Sequence, residues 1–214
     1  MSRHLLKEFI RALISEAAMP VAAAQQQGLA LLVTNSGRST SFVLYDPKYY
    51  RDFIVTQENS PNEIGNAPDG IYAFFSAFPG PSDSCSGAYE IGVSSAKKGF
   101  GPMMYDIVMS QCSPAPIMAD RSTSSAAAAN IWRFYGNRSD VEKIPLDSND
   151  CKTYEDRPEL NYAFKAKQPV NFSGLVAAHQ KFIQELSPEN QTAFEKAVPY
   201  AGAKFFDLSL ENYK

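Results

Sequence analysis

At residues 96–102 the chain reads Ala-Lys-Lys-Gly-Phe-Gly-Pro, between a predicted strand at 88–95 and a predicted helix at 102–112. Gly99 and Gly101 leave no Cβ between the backbone of this bend and a ligand. A helix N-terminus also offers unpaired N–H donors and about half a positive charge. The bend therefore suits a phosphate or pyrophosphate, with Lys97 and Lys98 as cations at its mouth. The alternative is a tight strand-to-helix turn that binds nothing.

Two familiar phosphate-binding patterns are excluded at this bend. Met104 stands where the third glycine of the dinucleotide fingerprint belongs, and no acidic residue follows at the expected ribose position. No Gly-Lys-Ser/Thr follows either, so the bend is not a Walker loop.

Upstream of the bend, apolar runs bounded by turn residues predict antiparallel strands. The turn Asn35-Ser36-Gly37-Arg38 is typical of a hairpin, and residues 46–70 read as a loop with one short helix. The predicted strands before the bend are 29–34, 41–45, 71–78 and 88–95.

Downstream of the bend, helices are the commoner element. The charged and turn-rich residues 139–160 are expected to form a loop. The predicted helices are 126–135, 173–186 and 187–197, and the predicted strands are 117–119 and 162–166.

The N-terminus has its own amphipathic pattern. Residues 3–18 carry apolar side chains at spacings of three and four, which predicts a helix docked on the protein. A membrane-binding or partner-binding arm is the alternative, and Glu8 and Glu16 weaken its membrane version. The sequence thus predicts an α+β protein with a mixed, mostly antiparallel sheet flanked by helices, an N-terminal amphipathic helix and a C-terminal helical pair. Residues 1–27 would be helix and link, and residues 28–214 the domain.

Composition limits the function classes. Of 214 residues, 44% are hydrophobic, which excludes wholesale disorder, and the net charge of −3 gives little electrostatic support for nucleic-acid binding. Apolar runs such as 28–33 are too short to cross a bilayer. We therefore expect neither a nucleic-acid nor a membrane partner.

Cysteine and histidine usage indicates no metal site. The three cysteines lack CxxC spacing, and there are two histidines, of which His179 is interpreted as a core-edge residue. Unpaired thiols and a start without a secretory pattern favour a reducing, cytoplasmic compartment.

Residues 88–138 resemble the core of the GNAT superfamily of N-acetyltransferases. The family order is a strand, R/Q-x-x-G-x-G/A, a helix, a second strand and a helix ending in aromatic residues. More narrowly, the run from Gly99 to Asp106, then 118–122, 131–135 and 137–140, resembles small GNAT-like proteins encoded by tailed bacteriophages. The sequence departs from the pattern at Ala96, in place of Arg/Gln, and at Ala128, in place of the usual Asn.

The resemblance implies acetyl-CoA as co-substrate, with no metal. The co-substrate would lie in a V-shaped gap between strands 88–95 and 116–119, its pyrophosphate on Gly99, Phe100 and Gly101. Lys97 or Lys98 could supply the side-chain phosphate contact that the alanine at position 96 is unable to make. Main-chain groups from Ile91 to Val93 would hold the pantetheine arm. Arg121 could meet a CoA phosphate, or could cap the following helix with Asp120.

The resemblance also implies two catalytic roles. The acid that protonates the departing thiolate would be Tyr135, with Phe134 one residue away; packing at the helix end is the alternative. The base would be Glu90, or else Glu90 is a solvated strand charge. Strand alternation places Tyr89, Ile91 and Val93 on one face and Glu90, Gly92 and Ser94 on the other.

Three functions remain open at this point. The first is acetyl-CoA-dependent N-acyltransfer to an unknown small-molecule or protein amine. The second is a catalytically inactive GNAT-like phage protein with a structural role in the virion, a host-interaction role, or self-association. Such a protein would work in the host cytoplasm or in the virion. The third is CoA binding without transfer.

Overall fold

A computed structural model describes residues 19–55, 61–80, 85–122 and 126–211 of the chain. The predicted N-terminal helix at 3–18 lies outside these residues. Within them, one seven-stranded sheet carries helices on both faces, so the α+β class and the mostly antiparallel sheet are confirmed.

The strand order is β1-β2-β3-β4-β5-β7-β6, and every neighbouring pair is antiparallel except β4 and β5, which run parallel. The parallel pair forms because the helix at Gly101–Cys112 carries the chain from the end of β4 back to the start of β5. The strands are β1 (Ala30–Asn35), β2 (Thr40–Tyr45), β3 (Ile71–Pro79), β4 (Tyr89–Ala96), β5 (Ile117–Ala119), β6 (Val141–Pro145) and β7 (Tyr162–Ala166).

The helices are α1 (Val21–Gln26), α2 (Pro47–Val55), α3 (Gly101–Cys112), α4 (Ala126–Tyr135), α5 (Ser173–Gln184) and α6 (Pro188–Glu211). The C-terminal helical pair is therefore present. α6 continues beyond 197, where the sequence predicted its end, and includes Pro199. It continues because its second half packs on the sheet, where Ala201 is fully buried.

Two apolar cores lie on opposite faces of the sheet. One joins α3 and α4 to the strands, with Tyr105 and Trp132 in its centre. The other joins α2 and α6 to the strands, with Phe74 and Phe194 among its members. α5 belongs to both, because Leu175 packs in the first core and Phe182 in the second.

β6 corrects the expectation of a loop at 139–160. The strand pairs with β7 at the edge of the sheet, and its middle residues Glu142 and Lys143 are exposed. Charged side chains are common on edge strands, where they discourage pairing with other chains. Because these charges interrupt the apolar pattern, a search for apolar runs does not detect the strand.

A disulfide joins Cys85 and Cys151, whose Cα atoms are 4.7 Å apart, so the expectation of three unpaired thiols is wrong. The bridge lies in a small third core with Met118 and Ala163. Because 66 residues separate the two cysteines, their spacing gave no sign of the pairing. The cysteines therefore give no support for a reducing compartment. Over the described ranges, no helix has the length and apolar character needed to cross a bilayer.

Candidate functional site

β4 and β5 separate at the centre of the sheet. Their parallel pairing covers Tyr89 to Ile91 on β4 and Ile117 to Ala119 on β5. β5 ends there, whereas β4 continues to Ala96. Residues 92–96 thus keep β3 on one side and have no strand on the other among the described residues. The result is a gap that opens toward the start of α3.

A β-bulge at Gly92 begins this gap. Ile91 pairs with Ala77 and Val93 pairs with Ser76, so Gly92 is the extra residue on β4. The bulge changes the alternation of side chains. Ile91 packs in the core that contains α3 and α4 (the α3 core), and Val93 packs in the core that contains α2 and α6 (the α6 core). The expectation that Ile91 and Val93 share a face is therefore wrong, because a bulge cannot be read from alternation.

The bulge also determines which main-chain groups face the gap. The N–H of Lys97 donates to the carbonyl of Tyr72 on β3 at 2.8 Å. By alternation along the strand, Ser95 and Val93 also direct their N–H and C=O groups to β3. Ser94 and Ala96 direct theirs to the gap. The free strand edge therefore belongs to Ser94 and Ala96 rather than to Val93.

The bend between β4 and α3 is open. Gly99 has φ +88°, and a Cβ added at Gly99 or Gly101 would meet no atom of the described residues within 4 Å. The carbonyl of Gly99 accepts a hydrogen bond from the N–H of Met19 at 3.0 Å. The N–H of Phe100 donates to Lys97, and that of Met104 donates to Phe100. The N–H groups of Gly99, Gly101 and Met103 have no acceptor among the described residues. The backbone here can thus receive an anion, whereas the Phe100 side chain is buried against Tyr72.

The two predicted cations of the bend differ. Lys97 donates from Nζ to the carbonyl of Asp69 at 2.9 Å, and Nζ lies 4.1 Å from the centre of the Tyr72 ring. Partial burial lowers the pKa of Lys97. Its ammonium group therefore fastens the turn at Pro68–Gly70 to β4. Lys98 is exposed beside Gly99, where its side chain can approach an anion in the bend.

Glu90 lies at the narrow end of the gap. It pairs with Met118 on β5 and Phe78 on β3, and its Oε1 accepts a hydrogen bond from the N–H of Arg121. Burial raises the pKa of Glu90; the N–H of Arg121 opposes the rise and the neighbouring Asp120 adds to it. A half-buried carboxylate with a raised pKa is suited to accept a proton.

Tyr135 is buried at the end of α4. Its hydroxyl donates to the carbonyl of Pro102 at 2.8 Å and lies 3.2 Å from Oδ1 of Asp106. Burial raises the pKa of Tyr135 well above its ordinary value. The hydroxyl thus joins α4 to the first two turns of α3, which weakens the case for Tyr135 as the acid.

Arg121 binds main-chain groups of a neighbouring loop and does not line an open anion site. Its guanidinium donates to the carbonyls of Ala119 and Lys152 and lies over the ring of Tyr154. A CoA phosphate contact would require these bonds to break. His179 is a buried core residue as expected, hydrogen-bonded to Tyr45.

A cavity of about 360 Å³ lies elsewhere, between the turn Pro61–Asn66 and α6. Lys196, Tyr200 and Lys204 are among its lining residues. In the described part of the chain, no group of three or more potential ligands for a metal ion is present.

Comparison with protein families, curated proteins and solved structures adds no relative: no family model, curated protein or solved structure matches the chain. The gap, the bulge and the bend therefore carry the functional argument.

Proposed function

We propose that the protein is an acetyl-CoA-dependent N-acyltransferase of the GNAT type, which transfers the acetyl group to an amine. The observation that supports this most is the continuity of one binding path. The free edge of β4 at Ser94 and Ala96 leads directly into the open bend at Gly99 and Gly101. A long ligand with a diphosphate at one end fits such a path.

The bend supplies the diphosphate end. The N–H groups at the start of the twelve-residue helix α3 have no acceptor among the described residues, and Lys98 is exposed beside them. Amides and the helix dipole act together at such a position. Phe100 contributes its backbone, since its side chain belongs to the core.

The β4 edge supplies the pantetheine end. The amide groups of a pantetheine arm can pair with the main-chain groups of Ser94 and Ala96 as an added strand would. The thioester would then lie near Gly92, where the bulge ends the contact between β4 and β5.

The reaction is attack of a neutral amine on the thioester carbonyl. A C–N bond forms, the C–S bond breaks, and the thiolate leaves. Glu90 would take a proton from the incoming ammonium, because its carboxylate lies at the narrow end of the gap with a raised pKa. After attack, nitrogen loses a second proton to give the amide, and this proton balances the one that the thiolate takes up; Tyr135 remains the sequence-based candidate for delivering it.

Gly101→Asp tests the proposal in a thermal-shift measurement with acetyl-CoA and with CoA. The wild-type chain should be stabilised by about 2.7 kcal/mol at a ligand concentration one hundred times the Kd. Gly101→Asp should abolish the shift by steric block and like charge. Gly101→Ala should weaken it without loss of stability, because a Cβ there meets open space.

Ser173→Asp is the matched control, since it adds the same charge at the first residue of another helix, α5. It should leave the CoA shift unchanged. Absence of any shift at millimolar CoA would overturn the proposal. The alternative is a catalytically inactive GNAT-like protein with a structural or host-interaction role. It is favoured by the hydrogen bonds that Lys97 and Tyr135 already make to main-chain carbonyls, and it would then replace the enzyme proposal.

A further inference from the structure

We infer that the amine acceptor is an alkyl- or arylalkyl-ammonium compound, held between the carboxylate of Glu90 and the ring of Phe78. This inference rests on the proposed function and names the substrate class of the same site. The residues that support it lie on the face of the sheet opposite α3, which the proposed CoA path does not occupy.

Phe78 and Glu90 face each other across β3 and β4. They are register partners in the antiparallel pair, so their side chains emerge on the same face with Cβ atoms about 5 Å apart. Tyr89 and Ile91, the neighbours of Glu90, pack in the α3 core, which places Glu90 and Phe78 on the opposite face.

The ring of Phe78 lies directly on the bulge. A Cβ added at Gly92 would lie 2.5 Å from Cε2 of Phe78, so the absence of a side chain at Gly92 lets the ring rest there. The same bulge marks the place of the thioester in the proposed function. An acceptor on the Phe78 ring would therefore have its nitrogen close to both the thioester and Glu90.

Phe78 is also accessible. Along this face of β3, Phe74 is covered by Gly202 of α6 and Ser76 is 5% exposed, whereas Phe78 is 40% exposed. The strand is therefore covered as far as Ser76, by α6 at Phe74, and the ring of Phe78 is accessible. A large apolar side chain exposed beside a half-buried carboxylate is suited to bind an organic cation.

Ser76 places a hydroxyl group close to Phe78 along β3. Its side chain emerges on the same face as Phe78, two residues away, and its hydroxyl has no hydrogen-bond partner among the described residues. The hydroxyl is buried, so the acceptor contacts Phe78 and Glu90 rather than Ser76.

The chemistry of these groups selects among amines. The ring and the carboxylate together favour a cation on an apolar carrier, through cation–π attraction and charge. An amino sugar would desolvate its hydroxyl groups against Phe78, and an amino acid would bring its carboxylate to Glu90. Both should be poor acceptors.

Steady-state acetyl transfer, followed by CoA thiol release, tests this with 2-phenylethylamine, hexylamine, glucosamine and glutamate. The KM for 2-phenylethylamine should be at least about tenfold below that for glucosamine. Phe78→Ala should raise the KM for 2-phenylethylamine about tenfold with little change in kcat. Phe78→Leu, which keeps apolar contact with Gly92, should raise it less. Glu90→Gln should raise this KM as well and should also lower kcat, because the carboxylate both binds the ammonium group and accepts its proton.

Tyr200→Ala is the control, because it removes an exposed aromatic ring from α6, away from β3 and β4. It should leave all four KM values unchanged. Equal KM values across the panel, or no response to either Phe78 variant, would overturn the acceptor site while acetyl-CoA turnover remained. Loss of CoA binding in the Gly101 experiment would overturn the proposed function itself, and the acceptor site with it.

Discussion

The hydroxyl of Tyr45 on β2 and Nδ1 of His179 on α5 share a hydrogen bond of 2.8 Å, although 134 residues separate them in the chain. Both side chains are buried, and Nε2 of His179 lies 3.7 Å from the half-exposed carboxylate of Glu195 on α6. The hydrogen bond thus joins α5 to the sheet, and the contact with Glu195 brings α6 to the same histidine. Histidine side chains ordinarily titrate near neutral pH.

Mild acid should destabilise the protein through His179. Burial lowers the pKa of His179 below 6.5, although Glu195 opposes this. In the unfolded chain His179 therefore binds a proton at a higher pH than in the folded protein. Stability should be complete above pH 6.5 and should fall as the pH drops from there toward the lowered pKa. Urea unfolding at intervals from pH 7.5 to 5 measures this.

His179→Gln provides the control for that titration, because an amide can still bond to Tyr45 but does not titrate. Its unfolding free energy should depend less on pH across the same range. Glu195→Gln should make the dependence steeper, since it removes the group that raises the pKa of His179. An equal pH dependence in His179→Gln and wild type would contradict the assignment.

Much of the fold follows from local sequence signals. The hairpin at Asn35–Arg38, the strand at 71–78 and the helix at 126–135 were predicted within one or two residues, because turn residues and apolar periodicity define them. β6 and the second half of α6 were missed. An exposed edge strand and a helix that passes a proline are both stabilised by packing, which local patterns do not contain.

The candidate site was predicted less completely. The open bend at Gly99 and Gly101 follows from sequence, since glycine spacing before a helix is a local property. The bulge at Gly92 depends on the register with β3, so the free edge belongs to Ser94 and Ala96 instead of Val93. The engagement of Lys97 with Asp69 is a contact between residues 28 positions apart and could not be predicted.

Removal of the disulfide should lower stability substantially. The bridge between Cys85 and Cys151 closes a loop with a sequence separation of 66 residues, which corresponds to about 4 kcal/mol on the chain-entropy scale. Urea unfolding of the double variant Cys85→Ser/Cys151→Ser should show this loss. Wild type in dithiothreitol should behave like the double variant.

Cys112→Ala separates the disulfide from general thiol effects. Cys112 is buried and is a free thiol, so it has no disulfide for dithiothreitol to reduce. This variant should respond to dithiothreitol as wild type does. Equal stability of oxidised and reduced wild type would show that the bridge contributes nothing.

Lys97 and Lys98 should separate in function. Lys97→Met should lower stability by about 1 kcal/mol, because it removes the hydrogen bond to Asp69 and the cation over Tyr72. It should change the Kd for CoA less than about twofold. Lys98→Met should weaken CoA binding several-fold, as expected for an exposed cation near a phosphate. The reverse pattern, measured by calorimetry and urea unfolding, would assign the phosphate contact to Lys97.

Tyr135→Phe distinguishes a packing role from acid catalysis. The substitution removes the hydrogen bond to the carbonyl of Pro102 and the contact with Asp106, which should lower stability by about 1–2 kcal/mol. Because that hydroxyl proton is already engaged and burial raises the pKa of Tyr135, we expect kcat to fall less than about tenfold. CoA affinity should not change, since the ring still fills its place beside Tyr105. A loss in kcat of about 10²-fold or more at unchanged CoA affinity would instead establish Tyr135 as the acid.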